Sequence, residues 1–456
     1  MTAFRRVLAV FLATLGLAPA LGAQQAAKIP VRPLGRIVAV SHEMLTSIGG
    51  VRPLNDGRVL ANDKVGHRVV LFDSSLASFT TVADTTTSTA KAYGSLPGGL
   101  FPYTGDSSIF ADPASLSLLI IDPAGKIVRT VSAPIGPGGG LGYLVGPQFN
   151  ATTDGRGDVV YRFNWAARNP QSQLSKLPVN QPGGPPVTIV YADSAVILRA
   201  NFATKKRDTV ATINSGGQRA VLTPAGSNSW SVSVFQNALP LSDDWTVTPD
   251  GMLAIVRVFD YHIDWVAPDG TRSSTPKIAH DWERYTDSAK AAIIDSSTRA
   301  DSIRAISTYA AIVKQAKDAG QPVPSAAQAG LGGPGSVMGT QSLPSDNGTT
   351  VNFTVTNGGY GDPSSLPDYR PPFVTTNDST GTSAVKADAD GNIWIRVFQP
   401  KPLPGGPVFD VVNRQGVLID RVQIPGATTI VGFAPGFVYL TSREGAGYHL
   451  ARARIR

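Results

Sequence analysis

The chain has no cysteine in 456 residues. That excludes disulfides, thiolate metal sites and a lipid-modified N-terminal cysteine. Glutamate is nearly as scarce: Glu43, Glu283 and Glu444 are the only three, against 30 aspartates. Glutamate favours helices and aspartate favours turns, so the skew points to many short strands joined by tight turns. Charged residues make up only 16%, and no five like charges stand in a row. The longest basic run, Lys205-Lys206-Arg207, reads as a solvated hairpin tip, and no nucleic-acid stripe is present. Beyond the N-terminus, no window reaches the roughly 20 apolar residues of a membrane-spanning helix.

What is there is apolar and rich in turns. Hydrophobic residues fill 42% of the chain, enough for a large core, with 47 glycines and 35 prolines. Residues 1–23 read as a signal peptide: Arg5 and Arg6, an apolar stretch at 7–18, then small residues through Ala23. A stretch of 12 is short for an uncleaved anchor. Loss of the two arginines lowers the formal charge from +7 to +5. A long secreted chain without disulfides is expected in the bacterial envelope, periplasmic or released.

A turn followed by a short apolar strand recurs along the chain. It appears as Asp56-Gly57 before RVLAND and Gly105-Asp106 before SSIFADP. It returns as Asp154-Gly155 before RGDVVYRF, Asp250-Gly251 before MLAIVRVF and Asp390-Gly391 before NIWIRVF. The first glycine intervals are 48 and 50 residues; the next are 96 and 140, which calls for insertions or extra units. About 20 residues after a first turn comes a second strand and turn, as in LLIIDPAGKIV and IDWVAPDGTR. Each unit therefore reads as a four-stranded antiparallel meander, and 40–50-residue units of this kind are β-propeller blades.

Units fall at 49–84, 95–132, 146–214, 225–278, 370–424 and 428–456. Residues 36–40 (RIVAV) can supply a strand missing from the last unit and close the ring. The reading is an all-β, six-bladed β-propeller over 24–456, with 166–245 long enough for a seventh blade. Residues 166–187 have loop composition. Within the insertion at 281–349, Ile303, Ile306, Ala310 and Val313 share one helical face, and 319–349 is expected to be mobile. The helix is either a clip packed on the propeller flank or a partner-docking arm.

The run SDDWTVTPDGMLAIVRVFDYHIDWVAPDG resembles the fourth blade of secreted bacterial six-bladed propellers of the NHL/TolB-like type. The run ADADGNIWIRVF…VFDVVNRQGVLIDRVQIP is similar to a later blade, and a helical stretch between the two fits the same pattern. The resemblance implies the fold. It leaves the activity open among binding proteins, scaffolds and metal-dependent hydrolases.

Aligned on their turns, the units bring one polar position into register: Asn62, Asp112, Arg162, Arg257, Arg396 and Thr441. If these strands are innermost, the six side chains ring one mouth of the channel. Three arginines there would suit a carboxylate or phosphate ligand, or the acidic tip of a protein partner. Alternatively, the arginines pair with Asp112 and backbone carbonyls and plug the channel. A calcium site built from Asn62, Asp63 and Asp112, as in some lactonase and esterase propellers, is the alternative cofactor reading. It has three of the six to eight oxygens that the ion takes. The string Asp388-Ala-Asp390-Gly391-Asn392 reads as a hairpin turn. The five histidines, His42, His67, His262, His280 and His449, match no zinc spacing. No nucleophile elbow, P-loop or dinucleotide fingerprint occurs in context. Saccharide binding would rest on Trp165 and Tyr360 alone. The expectation is a non-catalytic binding or scaffold protein, without cofactor or nucleic-acid partner; the alternative is a calcium-dependent lactonase or esterase.

Overall fold

The recurring turns work because of local backbone chemistry. Gly251 and Gly391 hold φ of +86° and +81°, a left-handed backbone that side chains resist. A Cβ at Gly251 would also stand 2.6 Å from the Asp154 carbonyl oxygen. At the second turn the Asp388 Oδ1 accepts from the backbone N–H of Asp390 (3.0 Å) and Asn392 (2.9 Å). That is an Asx-type hairpin turn.

A computed structural model of the chain describes residues 29–86, 92–133, 141–145, 151–163, 185–191, 193–326, 328–329, 331–344, 350–374, 383–401 and 403–456. The expected signal peptide, Trp165 and most of the expected 166–187 loop lie outside them. Among the described residues the hairpins assemble seven sheets. The first runs in chain order through Val51–Pro53, Val59–Asp63, Arg68–Phe72 and Phe79–Ala83. Sheets within 99–132, 152–214, 244–274, 385–423 and 428–454 repeat this meander and are numbered second to sixth here. The sixth gains its outer strand from Ile37–Val40, which pairs antiparallel with Gly447–Arg454. Arg32–Pro33 adds a parallel edge to the fifth.

Among the described residues, six core clusters lie one between each pair of consecutive sheets of these six. Leu60 packs with Phe110 of the second sheet, while Val59 and Ala61 pack with Tyr439 and Leu450 of the sixth. Alternate residues of one strand thus face opposite neighbours. This is why these strands read as continuous apolar runs. The remaining clusters join second to third, third to fourth, fourth to fifth and fifth to sixth, and the ring closes. Each fully buried Leu, Val or Phe contributes roughly 1.5–3 kcal/mol. The architecture is that of a β-propeller.

The seventh sheet lies outside this ring and has its own core, centred on Trp230 and Phe353. Its order is Val187–Tyr191, Gln218–Gly226, Ser229–Gln236, Thr350–Tyr360, Val337–Pro344. Ser229–Gln236, which the repeat spacing places in the fourth unit, therefore belongs elsewhere. Part of the stretch expected to be mobile, Val337–Pro344, is an edge strand of this sheet.

In each meander the inner strand runs away from one end of the channel and the second strand returns to it. The third leaves again and the outer strand returns. All connections from second to third strands, and all connections between sheets, therefore emerge at the same end, here called the first mouth. The strands of the seventh sheet come from three such connections, so that sheet is built on the first-mouth side.

The long helix Asp287–Asp318 leaves from the same end and lies against Thr350–Tyr360 and Pro363–Ser365. Thr286 caps it, its Oγ1 accepting from Ala289 N. Lys290 is buried and donates to Asp368 Oδ1 at 2.7 Å, and Tyr360 Oη donates to Asp301 Oδ2 at 2.6 Å. The less exposed side runs through Ile294, Asp301, Ala305, Tyr309 and Ile312. The expected apolar face is not the packed one: Ile303 is 62% and Ile306 71% exposed. The packed side combines the apolar Ile294, Ala305, Tyr309 and Ile312 with polar anchors at Lys290 and Asp301.

Candidate functional site: the channel and its first mouth

All six ring sheets line one central cavity of about 1910 Å³. Its walls are mainly the inner strands, and those of the sixth, first, second, third, fourth and fifth sheets contact one another in that order. The aligned polar positions sit one strand further out than expected. Asn62, Asp112, Arg162, Arg396 and Thr441 lie on second strands of their sheets, and Arg257 lies just past one. Their shared register holds, since second strands end at the first mouth. Of the six, Thr441 alone lines the cavity.

The others are tied into the fold. Asn62 Nδ2 donates to the Gly98 carbonyl at 2.9 Å, and its Oδ1 accepts from Tyr93 Oη at 3.0 Å. Tyr93 Oη in turn accepts from Gly98 N, and burial pushes its pKa up to about 12. Asp112 accepts from the backbone N–H of Gly94, Ala114 and Ser115 and from Ser115 Oγ. Asp63 accepts from Thr46, Ser47 and Gly66 N–H and from Arg68 Nε. Arg257 bridges Asp243 (2.8 Å) and Asp264 (2.7 Å). Arg162 is held near Asp243 and Asp244; burial lowers its pKa and the two carboxylates oppose that shift. Arg396 pairs within its sheet opposite Phe409, and its backbone N–H donates to Ala384 O. The buried oxygens of Asn62, Asp63 and Asp112 are thus engaged by donors of the protein itself. Among the described residues no group of three or more His, Cys, Asp or Glu could hold a metal ion.

The charges that do face the cavity come from elsewhere: Arg52, Lys64, Lys386, Asp388 and Arg452. Arg52 pairs with Asp106 at 3.1 Å, in the turn joining inner to second strand of its neighbour, which places it toward the second mouth. Arg452 lies over the Phe437 ring at 5.1 Å, near the same end. Asp388 is consumed by its turn and by Trp394 Nε1 (3.0 Å). Toward the first mouth stand the two lysines. Lys64 follows the second strand of the first sheet; its stem covers Gly49, where a Cβ would meet Lys64 Cε at 2.3 Å. Its Nζ has a long contact, 3.4 Å, to Val145 O and no ion pair among the described residues. Lys386 sits in the inner strand Val385–Ala387, also without an ion pair there. Burial lowers the pKa of both, and for Lys386 the Asp244 carboxylate opposes the shift.

Asp244 itself is fully enclosed. It accepts from Trp245 N, Ser383 Oγ, Ala384 N and Val385 N, yet burial outweighs these bonds and raises its pKa to about 6. Its hydrogen bonds hold the fifth sheet against the fourth, and it acts on Lys386 through its charge without forming an ion pair. The local signal for Lys386 is a single lysine between two apolar residues of a strand. That for Lys64 is its place next to the aligned Asn62-Asp63 pair.

No protein-family model matches the chain, and no curated protein matches it. Among solved structures it is similar to a PQQ-bound aldose sugar dehydrogenase from Streptomyces coelicolor (12% identity, 93% of this chain and 99% of that one, TM-score 0.34). It is similar also to regucalcin, a calcium-binding protein from Agrobacterium tumefaciens (12%, 93% and 97%, 0.33). A third is a gluconolactonase from Xanthomonas campestris (9%, 93% and 99%, 0.31). At these values the likeness transfers neither a site residue nor an activity.

Proposed function

We propose that the protein is a secreted, non-catalytic binding protein of the bacterial envelope that takes an anionic ligand into its propeller channel. Six blades form the ring, and the seventh sheet with the long helix is an accessory unit beside the first mouth. One observation carries the binding reading. Lys64 and Lys386 face the cavity without an ion pair among the described residues, while Asp63, Asp112, Asp243 and Asp244 nearby are all engaged. Half-buried cations without an ion pair are costly, so a site that keeps two of them is arranged for an incoming anion. The lysines replace the ring of Arg162, Arg257 and Arg396 as the recognition groups, since Arg257 already has its carboxylates. A free anion is favoured over an acidic protein tip because the lysines stand within the channel.

The test is native mass spectrometry of the protein isolated from its own host's envelope, beside a Lys64→Met/Lys386→Met variant. An acidic small molecule retained by the first and absent from the second is expected. Equal retention, or none by either, overturns the reading. The second reading is a calcium-dependent lactone or ester hydrolase, in line with the regucalcin and gluconolactonase similar in shape. The residues read as its ligands, Asn62, Asp63 and Asp112, already accept hydrogen bonds from donors of the protein itself, so no step is built on it. Heat and a thermal shift on titration with millimolar calcium would restore it.

A further inference from the structure

The cavity wall is divided. All five charged lining residues belong to the first, fifth and sixth sheets, which are consecutive around the ring. The second, third and fourth sheets and their connections line the other half, and their described residues contribute no charged side chain to it. That half includes Leu96, Leu100, Phe101, Leu116, Leu144 and Val145. At the first mouth Leu96 is 49% and Leu116 38% exposed, so the apolar wall reaches the opening. Leu116 also holds a left-handed φ of +54°. A bulky residue is rarely kept there, and a polar or glycine residue would fit that backbone better.

A small polar anion such as phosphate would meet the lysines and leave the apolar half wet. A neutral apolar molecule would cover that half and bury Lys64 and Lys386 without counter-charge. Both halves are served by one molecule that carries both features. We infer that the ligand is an amphiphilic anion, with a carboxylate or phosphate head on the lysine side and an apolar body along the second sheet and its connection to the third. This rests on the anion-binding reading and adds the ligand class to it.

Isothermal titration of the purified protein with butanoate, hexanoate and octanoate tests the class, with inorganic phosphate and octanol as single-feature probes. Affinity should rise roughly fourfold for each added methylene, the value of burying it. Octanol and phosphate should each bind more than tenfold more weakly than octanoate. A Leu96→Ser/Leu116→Ser variant changes only part-exposed side chains, and thermal melting confirms that it is folded. It should flatten the chain-length dependence while leaving phosphate binding unchanged. If phosphate and the short carboxylates bind but chain length has no effect, the amphiphile is wrong and the anion site stands. If octanol matches octanoate, the head group assignment is wrong. If no probe binds the folded protein, or only an acidic polypeptide does, the small-anion reading and this inference fall together.

Discussion

Asp244 reaches from the inner strand of the fourth sheet to the fifth, where its Oδ2 accepts from the backbone N–H of Ala384 at 2.7 Å. The same oxygen takes Val385 N–H and Ser383 Oγ–H, so one carboxylate fixes where the strand carrying Lys386 begins. Its pKa is raised from 3.8 to about 6 because it is enclosed. Between those values the folded protein holds a proton that the unfolded chain has released. Stability from this group is therefore present below about pH 4 and lost as pH rises through about 6. The loss is at most about 3 kcal/mol. An Asp244→Asn variant should lack this component: its stability relative to wild type should improve from pH 4 to pH 7 in denaturant titrations. A difference independent of pH would show that Asp244 does not titrate in this range.

The lysines lead to a second expectation. Replacing Lys386 by Met removes a desolvated cation and keeps the stem length, so the ligand-free protein should gain about 1 kcal/mol. Ligand affinity should fall at the same time. Thermal melting at low salt reads the first effect, and a lower Tm for Lys386→Met would mean that the ammonium has a structural partner.

The residues that aligned in the sequence have a different role. Asn62, Tyr93 and Gly98 form a closed, buried triangle between the first and second sheets. Asn62→Ala strands the Tyr93 hydroxyl and the Gly98 carbonyl, at about 1–3 kcal/mol for each group left unpaired. A stability loss of about 3 kcal/mol is expected, with affinity for a probe anion within twofold of wild type at a temperature where the variant is folded. A folded variant that lost affinity would put Asn62 back in the ligand site.

How far these features were legible depends on strand length. The turn at Gly251 could be read because a left-handed φ and a preceding aspartate leave a fixed two-residue mark. The second strands were legible because burial on both faces makes runs such as Leu253–Val256 wholly apolar. The inner strands were not. Val51–Pro53, Thr152–Thr153 and Val385–Ala387 are two or three residues long and carry no periodicity of their own. Their place is set by the neighbouring sheets, so the polar alignment fell one strand too far out. Lys386, on such a strand, had no frame in which to be noticed. The helix face was chosen wrongly because the packed side mixes Ile294, Tyr309 and Ile312 with the polar anchors Lys290 and Asp301, while Ile303 and Ile306 stay exposed.

Arg257 separates a structural from a binding role most sharply. It joins Asp243, which is buried, to Asp264 on the third strand of its sheet, and Asp243 Oδ1 also receives Val258 N–H. Arg257→Ala takes from the buried Asp243 charge its ion pair with Arg257, a loss of about 3 kcal/mol on the scale of broken buried pairs. Arg257→Lys should recover less than half of it, since one ammonium cannot reach both carboxylates as the planar fork does. The measurement is the urea midpoint of the two variants at pH 7. If Arg257→Ala unfolds at the wild-type midpoint while a probe anion no longer binds, Arg257 belongs to the ligand site.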